Sequence, residues 1–205
     1  MTEGIEPARR RLYLAGSVVV FAGLVFQISY GVAGTTPGSI PLLVAAALVV
    51  LTATAAMRAR RAAAVAGWVA AVLLAADFGG AVADRFGLLG APGESGVTWG
   101  SWTAFTAYTG QLVPWLPAPL VDAAAVGATV AEIVVCVWLL SGWRRREAGV
   151  AAAVVLAAFS AAMVTTVGPA AVAKNAVFLL LGGALVLATV PAYGGFRVRS
   201  AAPAR

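Results

Sequence analysis

The stretch VDAAAVGATVAEIVVCVWLLSG, residues 121–142, decides the fold of this chain. An apolar run of about 17–25 residues is long enough to cross the hydrocarbon core of a bilayer as one helix. Near its middle this run carries a carboxylate, Glu132. Because an ionised carboxylate in hydrocarbon is costly, such a residue usually faces a protein interior and often marks a functional site. The stretch therefore predicts a transmembrane helix whose Glu132 faces the inside of a helix bundle and has a polar partner there.

Five further apolar runs predict a polytopic membrane protein. The chain is 61% hydrophobic and 11% charged, with a mean hydropathy of +0.94, whereas a soluble domain carries about 25% charged residues. The expected fold class is all-α, a polytopic membrane helix bundle of six transmembrane helices with a short outer interfacial helix. The predicted spans are residues 12–32, 41–57, 62–82, 121–142, 148–167 and 175–193.

The distribution of basic residues predicts the orientation of the bundle. Of the 14 lysines and arginines, all but Arg85 and Lys174 flank the predicted spans on one side. Positive-inside bias makes that side cytoplasmic, with both termini inside. These short clusters between apolar runs also argue against nucleic-acid binding, despite the net charge of +6. The first apolar run is too long for the core of a signal peptide, so we expect residues 1–34 not to be cleaved.

Residue usage excludes several kinds of redox chemistry. The sequence has no histidine and one cysteine, Cys136. The commonest haem and metal ligand is therefore missing, and neither an intramolecular disulfide nor a Cys-x-x-Cys pair can form. We expect no cofactor bound covalently or through protein metal ligands, and we interpret Cys136 as a packing residue.

The longest connection, residues 83–120, is expected to lie on the outer side. Within it, WGSWTAFTAYTGQL at residues 99–112 predicts a short interfacial helix that Ser101 could cap. Trp102, Phe105, Thr109 and Leu112 fall on one face of that helix. Two interpretations stay open: a structural lid over the bundle, or the rim of a binding site.

Few polar residues interrupt the predicted spans, and they concentrate in the outer half. Asp77 lies about 22 Å along the third span and Glu132 about 16 Å along the fourth. Asp77 and Asp84 share a helix face. One interpretation is a pocket between spans three, four and six; the other is a set of structural ion pairs, with Asp84 and Arg85 solvated at the interface. The candidate binding residues are Glu132, Asp77, Asp84, Arg85, Lys174, Trp102 and Tyr108.

Several short motifs, in this order and spacing, resemble the DoxX family. They are DRFG at residues 84–87, ATVAEI at 128–133, LLSGWR at 139–144 and FSAAM at 159–163. Glu132 and the Asp84–Arg85 pair match the pattern. Ala81 replaces a lysine that is usual in the family, and Val135-Cys136 replaces a pair of small glycines.

The resemblance implies a domain organisation and a location. Residues 62–193 would form the family's four-helix core, with the outer loop at 83–120. Residues 1–61 would be an N-terminal tail with two additional transmembrane helices, and residues 194–205 a cytoplasmic tail. The implied location is the bacterial inner membrane.

The resemblance also implies a link to redox physiology. The expected function is an accessory or quinone-facing subunit of a membrane redox complex, oxidative-stress or sulfur-linked, rather than a stand-alone enzyme. Its expected partners are the lipid bilayer, redox proteins and a diffusible quinone, with no nucleic acid. The alternatives are a small transporter or channel that uses intramembrane carboxylates, and a scaffold without a ligand.

Overall fold

The computed structural model describes residues 7–32 and 60–189, and its regular elements are all helices. They are α1 (Pro7–Val32), α2 (Arg60–Arg85), α3 (Trp102–Leu112), α4 (Ala118–Ser141), α5 (Arg145–Thr166), α6 (Pro169–Lys174) and α7 (Val177–Leu187).

Four helices in the described part of the chain are long and apolar enough to cross a membrane. These segments are Arg11–Ser29, Gly67–Arg85, Ala118–Ser141 and Arg145–Thr166. They coincide with the first, third, fourth and fifth predicted spans. The all-helical structure is therefore compatible with the predicted membrane helix bundle. The second predicted span, residues 41–57, lies outside the described residues, and the count of six stays a prediction.

The long helices pack in a ring. Helix α2 contacts α4, α4 contacts α5, α5 contacts α7, and α7 contacts α2, while α1 packs against α7 from outside this ring. The bundle has two distinct ends. We call the end with Arg85 and residues 86–101 the loop end, and the end with Arg11 and Arg144–Arg146 the basic end. The expected domain boundary at 61 falls within the first turn of α2, and the one at 193 lies outside the described residues.

Helices α1 and α7 approach each other closely because glycines line their contact. A Cβ atom added to Gly182 would lie 2.6 Å from the backbone nitrogen of Val20, and one added to Gly16 would lie 2.9 Å from that of Val186. Small residues permit such backbone contact between membrane helices. The side chain of Gln27 then donates a hydrogen bond of 2.8 Å to the carbonyl oxygen of Ala173.

The sixth predicted span, residues 175–193, is not one helix from its first residue. Asn175 and Ala176 separate α6 from α7, and Ala176 has a left-handed backbone with φ of +50°. The helix of this span begins at Val177, and residues from 190 onwards lie outside the described part. The carbonyl groups released at the break are bonded locally, since Asn175 donates to the carbonyl of Ala171.

The short helix predicted within residues 99–112 is confirmed, with a later start; its position on the outer side stays a prediction. Helix α3 begins at Trp102 rather than residue 99, because Ser101 adopts an extended backbone and its hydroxyl accepts the N–H of Ala104. Phe105, Thr109 and Leu112 are its buried residues, on the face that the spacing predicts. The helix packs on α2, α4 and α5 at the loop end.

Candidate functional site

A buried ion pair joins α2 to α4 near the loop end. Arg85 is the last residue of α2, and its Nη2 atom donates to Oε1 of Glu132 at 2.6 Å. Its Nη1 atom donates to the hydroxyl of Thr129 at 2.9 Å, one turn before Glu132 on α4. Arg85 is 1% exposed and Glu132 is 3% exposed. The prediction that Glu132 faces the protein interior and has a polar partner is confirmed, and the partner is Arg85.

Two aromatic rings cover the guanidinium group of Arg85. Its Cζ atom lies 3.8 Å from the ring centre of Phe105 and 5.2 Å from that of Trp99. A desolvated cation over an aromatic face gains about 2 kcal/mol from the ring quadrupole. Trp99 also contacts Phe105 edge-on, with 5.1 Å between ring centres. The segment before α3 and its first turn therefore form an aromatic cap on the Arg85 side chain.

Asp84, the neighbour of Arg85, holds this cap in place. Its carboxylate accepts the N–H groups of Thr98 at 3.1 Å, Trp99 at 2.8 Å and Gly100 at 3.4 Å. Gly100 has a φ of +65°, and a Cβ atom there would lie 2.4 Å from the nitrogen of Pro92, so the close turn requires glycine. Asp84 is 4% exposed. It thus orders residues 98–100 directly above Arg85.

The geometry corrects the interpretation in which Asp84 and Arg85 are solvated at the interface. Both side chains are buried, and they turn to different partners. Successive residues of a helix are rotated by about 100°, so Asp84 is directed to the connection while Arg85 is directed to α4.

Several buried polar atoms of the site have no hydrogen-bond partner within the described residues. They are Nε of Arg85, Oε2 of Glu132 and the hydroxyl of Tyr108; elsewhere on α5 the Ser160 hydroxyl is also buried without a partner. The Arg85–Glu132 contact uses one oxygen of the carboxylate. A donor and an acceptor on adjacent side chains are left over. Buried polar groups are rarely left unpaired, because each one costs about 1–3 kcal/mol.

Asp77 lies deeper in the bundle, on the side of Glu132 that faces away from the loop end. It is half-buried on α2, and its carboxyl group is close enough to that of Glu132 for the two to interact electrostatically. Below them, the thiol of Cys136 donates to the carbonyl oxygen of Ala75 at 3.2 Å. The α2–α4 contact thus carries a column of polar groups through the half of the bundle nearer the loop end.

The other predicted site residues occupy different places. Tyr108 is half-buried, with its ring centre 5.9 Å from that of Trp99. Burial raises the pKa of its hydroxyl, so the group keeps its proton at neutral pH and can donate a hydrogen bond. Trp102 stacks on Phe86 at 5.8 Å between ring centres, at the edge of the cap.

The position of Lys174 differs from that expected in the pocket interpretation. It is exposed at the end of α6, which packs on α1, α5 and α7. The structure does not bring Lys174 to the Arg85–Glu132 pair, which lies between α2, α4 and α3. Lys174 ends the short helix α6, which precedes the break at Asn175 and Ala176.

Three residues of the site were absent from the predicted set: Trp99, Phe105 and Thr129. Two of them had a signal in the sequence. Thr129 lies one turn from Glu132 on the same stripe of α4, and Phe105 shares the buried face of α3. Trp99 had no periodic signal, since it precedes the helix and its position depends on Asp84.

No three side chains of the His, Cys, Asp and Glu types converge as metal ligands in residues 7–32 and 60–189. The donor set at Arg85 consists of N–H groups, hydroxyls and one carboxylate, which suits an organic ligand better than a metal ion. The chain matches no protein-family model, no curated protein and no solved structure.

Proposed function

We propose that this protein is an accessory membrane subunit that binds a quinone head group at the Arg85–Glu132 pair, facing the redox partner of a membrane complex. One observation carries the proposal. A buried ion pair has an unpaired donor and an unpaired acceptor side by side beneath an aromatic cap. The resemblance of the DRFG and ATVAEI motifs to the DoxX family supports the redox assignment.

The residues present fit such a head group in their chemistry. A quinone offers oxygen acceptors and a flat ring, and its reduced form offers hydroxyl donors. Arg85 Nε and the Tyr108 hydroxyl can donate to these oxygens, and Glu132 Oε2 can accept a hydroxyl proton. Trp99 and Phe105 present ring faces and edges beside the same guanidinium group. Bound there, the quinone would supply two-electron chemistry that the side chains of this chain lack.

Access to the site depends on the cap. Arg85 is 1% exposed, so a head group reaches it when residues 98–100 move. Those residues are held by three hydrogen bonds to one carboxylate. A connection held by these hydrogen bonds and by the ring contacts of Trp99 can open without unfolding the bundle.

A transport function is less well supported by the packing. A proton or cation path needs polar groups across the whole membrane. The polar column of the α2–α4 contact ends near Cys136. Towards the basic end, the buried residues described in α2 and α4 are apolar, among them Ala71, Leu74 and Leu139.

Saturable quenching of tryptophan fluorescence by a decyl-substituted benzoquinone tests the proposal in the purified full-length chain. Wild-type protein should show saturation, because the quinone ring would approach Trp99. Glu132→Gln and Arg85→Lys should weaken binding about tenfold or more, since a hydrogen bond to a charged group contributes about 1.5–3 kcal/mol.

Asp122→Asn is the matched control. Asp122 is an exposed carboxylate on the same helix, and its replacement should leave binding unchanged. Linear, non-saturating quenching in wild type would contradict the proposal, as would equal effects of Glu132→Gln and Asp122→Asn. Reconstituted liposomes that conduct protons through the wild type, but not through Glu132→Gln, would favour the transport alternative instead.

A further inference from the structure

A second group of cations lies at the opposite end of the bundle, away from the proposed quinone site. The guanidinium group of Arg145 lies over the ring of Trp68, with 3.5 Å between Cζ and the ring centre. Arg145 begins α5, and Trp68 lies near the start of α2. The α4–α5 turn is thereby fixed against α2, with the flat face of one arginine on an aromatic platform.

Arg145 forms no ion pair with a carboxylate of the described residues. Of the three successive arginines 144–146, Arg144 pairs with Glu147 at 3.0 Å. Arg145 and Arg146 have no carboxylate within ion-pair distance in the described chain, and Nε of Arg145 is buried without a hydrogen-bond partner. Two positive charges are therefore held close together, one of them in a fixed orientation.

Two further tryptophans lie at the α4–α5 turn beside these charges. Trp143 is 65% exposed, and its ring lies 5.6 Å from the guanidinium carbon of Arg144. The indole N–H of Trp138 donates to the carbonyl oxygen of Trp143 at 2.9 Å. Tryptophan is enriched at membrane–water interfaces, where its ring lies among head groups. A ligand at this place would combine an anionic phosphate group with an apolar part.

We infer that Arg145 on Trp68, with Arg146 beside it, forms a binding site for the head group of an anionic phospholipid. The phosphodiester oxygens accept hydrogen bonds from the guanidinium groups, and the acyl chains lie along the exposed apolar faces of α4 and α5. Val137, Leu140 and Val150 supply such faces next to the turn. The charge of the lipid replaces the carboxylate that Arg145 lacks.

Native mass spectrometry of the full chain in a neutral detergent, titrated with dioleoyl phosphatidylglycerol or dioleoyl phosphatidylcholine, tests this inference. The wild type should retain one phosphatidylglycerol more tightly than phosphatidylcholine. Arg145→Gln should weaken that preference about fivefold, the contribution of one basic side chain near an anionic surface. Trp68→Leu should also weaken it, although the charge is kept, because the platform that orients Arg145 is lost.

Arg11→Gln is the matched control, since Arg11 is an exposed arginine at the same end of the bundle. It should change the preference by less than about twofold. Equal losses in Arg145→Gln and Arg11→Gln would overturn the inference, because they would show unspecific charge attraction. Displacement of the lipid by excess inorganic phosphate would overturn the lipid assignment as well. Should Arg145→Gln fail to fold, a comparison of Trp68→Leu with Trp68→Phe tests the same inference. Trp68→Phe keeps the aromatic face and should keep the preference for phosphatidylglycerol, whereas Trp68→Leu should lose it.

Discussion

The Arg85–Glu132 pair shows how individual charged residues are accommodated in an apolar bundle. Each side chain is buried, and each would be strongly destabilising alone. Their hydrogen bond of 2.6 Å, with Thr129 as a second acceptor, offsets part of the desolvation cost. Such a pair contributes little net stability, because the separated ions were favourably solvated in water. Its retention in the core is therefore better explained by what the two groups can bind or orient.

At this scale we predict an asymmetry between single and double substitutions. Arg85→Met or Glu132→Leu alone should lower the free energy of unfolding by about 3–5 kcal/mol, because each leaves an uncompensated buried charge. The double variant should be less destabilised than the sum of the two, by more than about 1 kcal/mol. Denaturant titration of the purified protein in detergent measures both quantities. Additive losses would mean that the two side chains do not interact in the folded protein.

The sequence predicted that Glu132 needs a polar partner, but not which one. The depth of Glu132 follows from the length of its run, and the cost of a carboxylate in hydrocarbon excludes exposure to lipid. The choice among Asp77, Asp84, Arg85 and Lys174 depends on the rotation of α2 about its axis and on the packing of α6. Those quantities depend on tertiary contacts that a single sequence does not display. The functional roles of these residues remain predictions.

Among the elements, the connection between α2 and α3 is ordered by side-chain contacts rather than by regular structure. Asp84 binds three backbone N–H groups, and Ser101 caps the helix that follows. The helix was predicted over residues 99–112 and begins at Trp102. The shift arises because the amides of residues 98–100 are already bonded to Asp84, which draws them out of the helical ladder.

We predict that Asp84→Asn loosens this connection while the bundle stays folded. The amide keeps one oxygen acceptor and loses its negative charge, so the bonds to Thr98 and Trp99 weaken. Hydrogen–deuterium exchange at residues 98–100 should accelerate by about tenfold or more. Exchange in α4 should stay slow. Unchanged exchange at residues 98–100 would show that the aromatic contacts alone hold the cap.

The close contact between α1 and α7 depends on glycines, which have no side chain to separate the two backbones. Gly182→Ala should destabilise the protein by about 1–3 kcal/mol, because the added methyl group meets the backbone of Val20 and forces the helices apart. Gly127→Ala is the matched control. Gly127 is an exposed glycine within α4, with no atom within 4 Å of an added Cβ, so alanine should be neutral or stabilising there. Thermal unfolding in detergent compares the two, and equal midpoints would contradict the predicted contact.

On the scale of the whole molecule, the fold class was accessible from composition and run length alone. Four of the predicted spans correspond to helices that are long and apolar enough to cross a membrane. The break at Asn175–Ala176 was not predicted, because neither glycine nor proline marks it and the polar residues Lys174 and Asn175 were interpreted as the start of the span. It is stabilised by distant partners, among them Gln27 of α1. Hydropathy averages over the length of a span and does not detect a local change of backbone conformation.

The distribution of arginines predicts a topology that cysteine labelling can test. With six spans and both termini cytoplasmic, a cysteine placed at position 95 in a background lacking Cys136 should react with an impermeant maleimide from outside intact cells. A cysteine at position 200 should react only after the membrane is opened. Labelling of both positions from the same side would mean that the number of spans between them is even, and the predicted orientation would then be wrong.

Because Asp84 and Arg85 are neighbours in the chain, we expect the hydrogen bonds of the connection and the buried ion pair to be thermodynamically coupled. Asp84 bonds the connection, and Arg85 forms the ion pair inside the bundle. The coupling free energy between closing of the connection and formation of the ion pair must be the same whichever of the two is measured. If loss of the ion pair in Glu132→Gln lowers the stability of the closed connection, as read from exchange at residues 98–100, then opening of the connection must weaken the intact ion pair by the same amount. A coupling of about 1–3 kcal/mol between these positions would make a two-residue segment of backbone the route by which events outside the membrane and inside it influence one another.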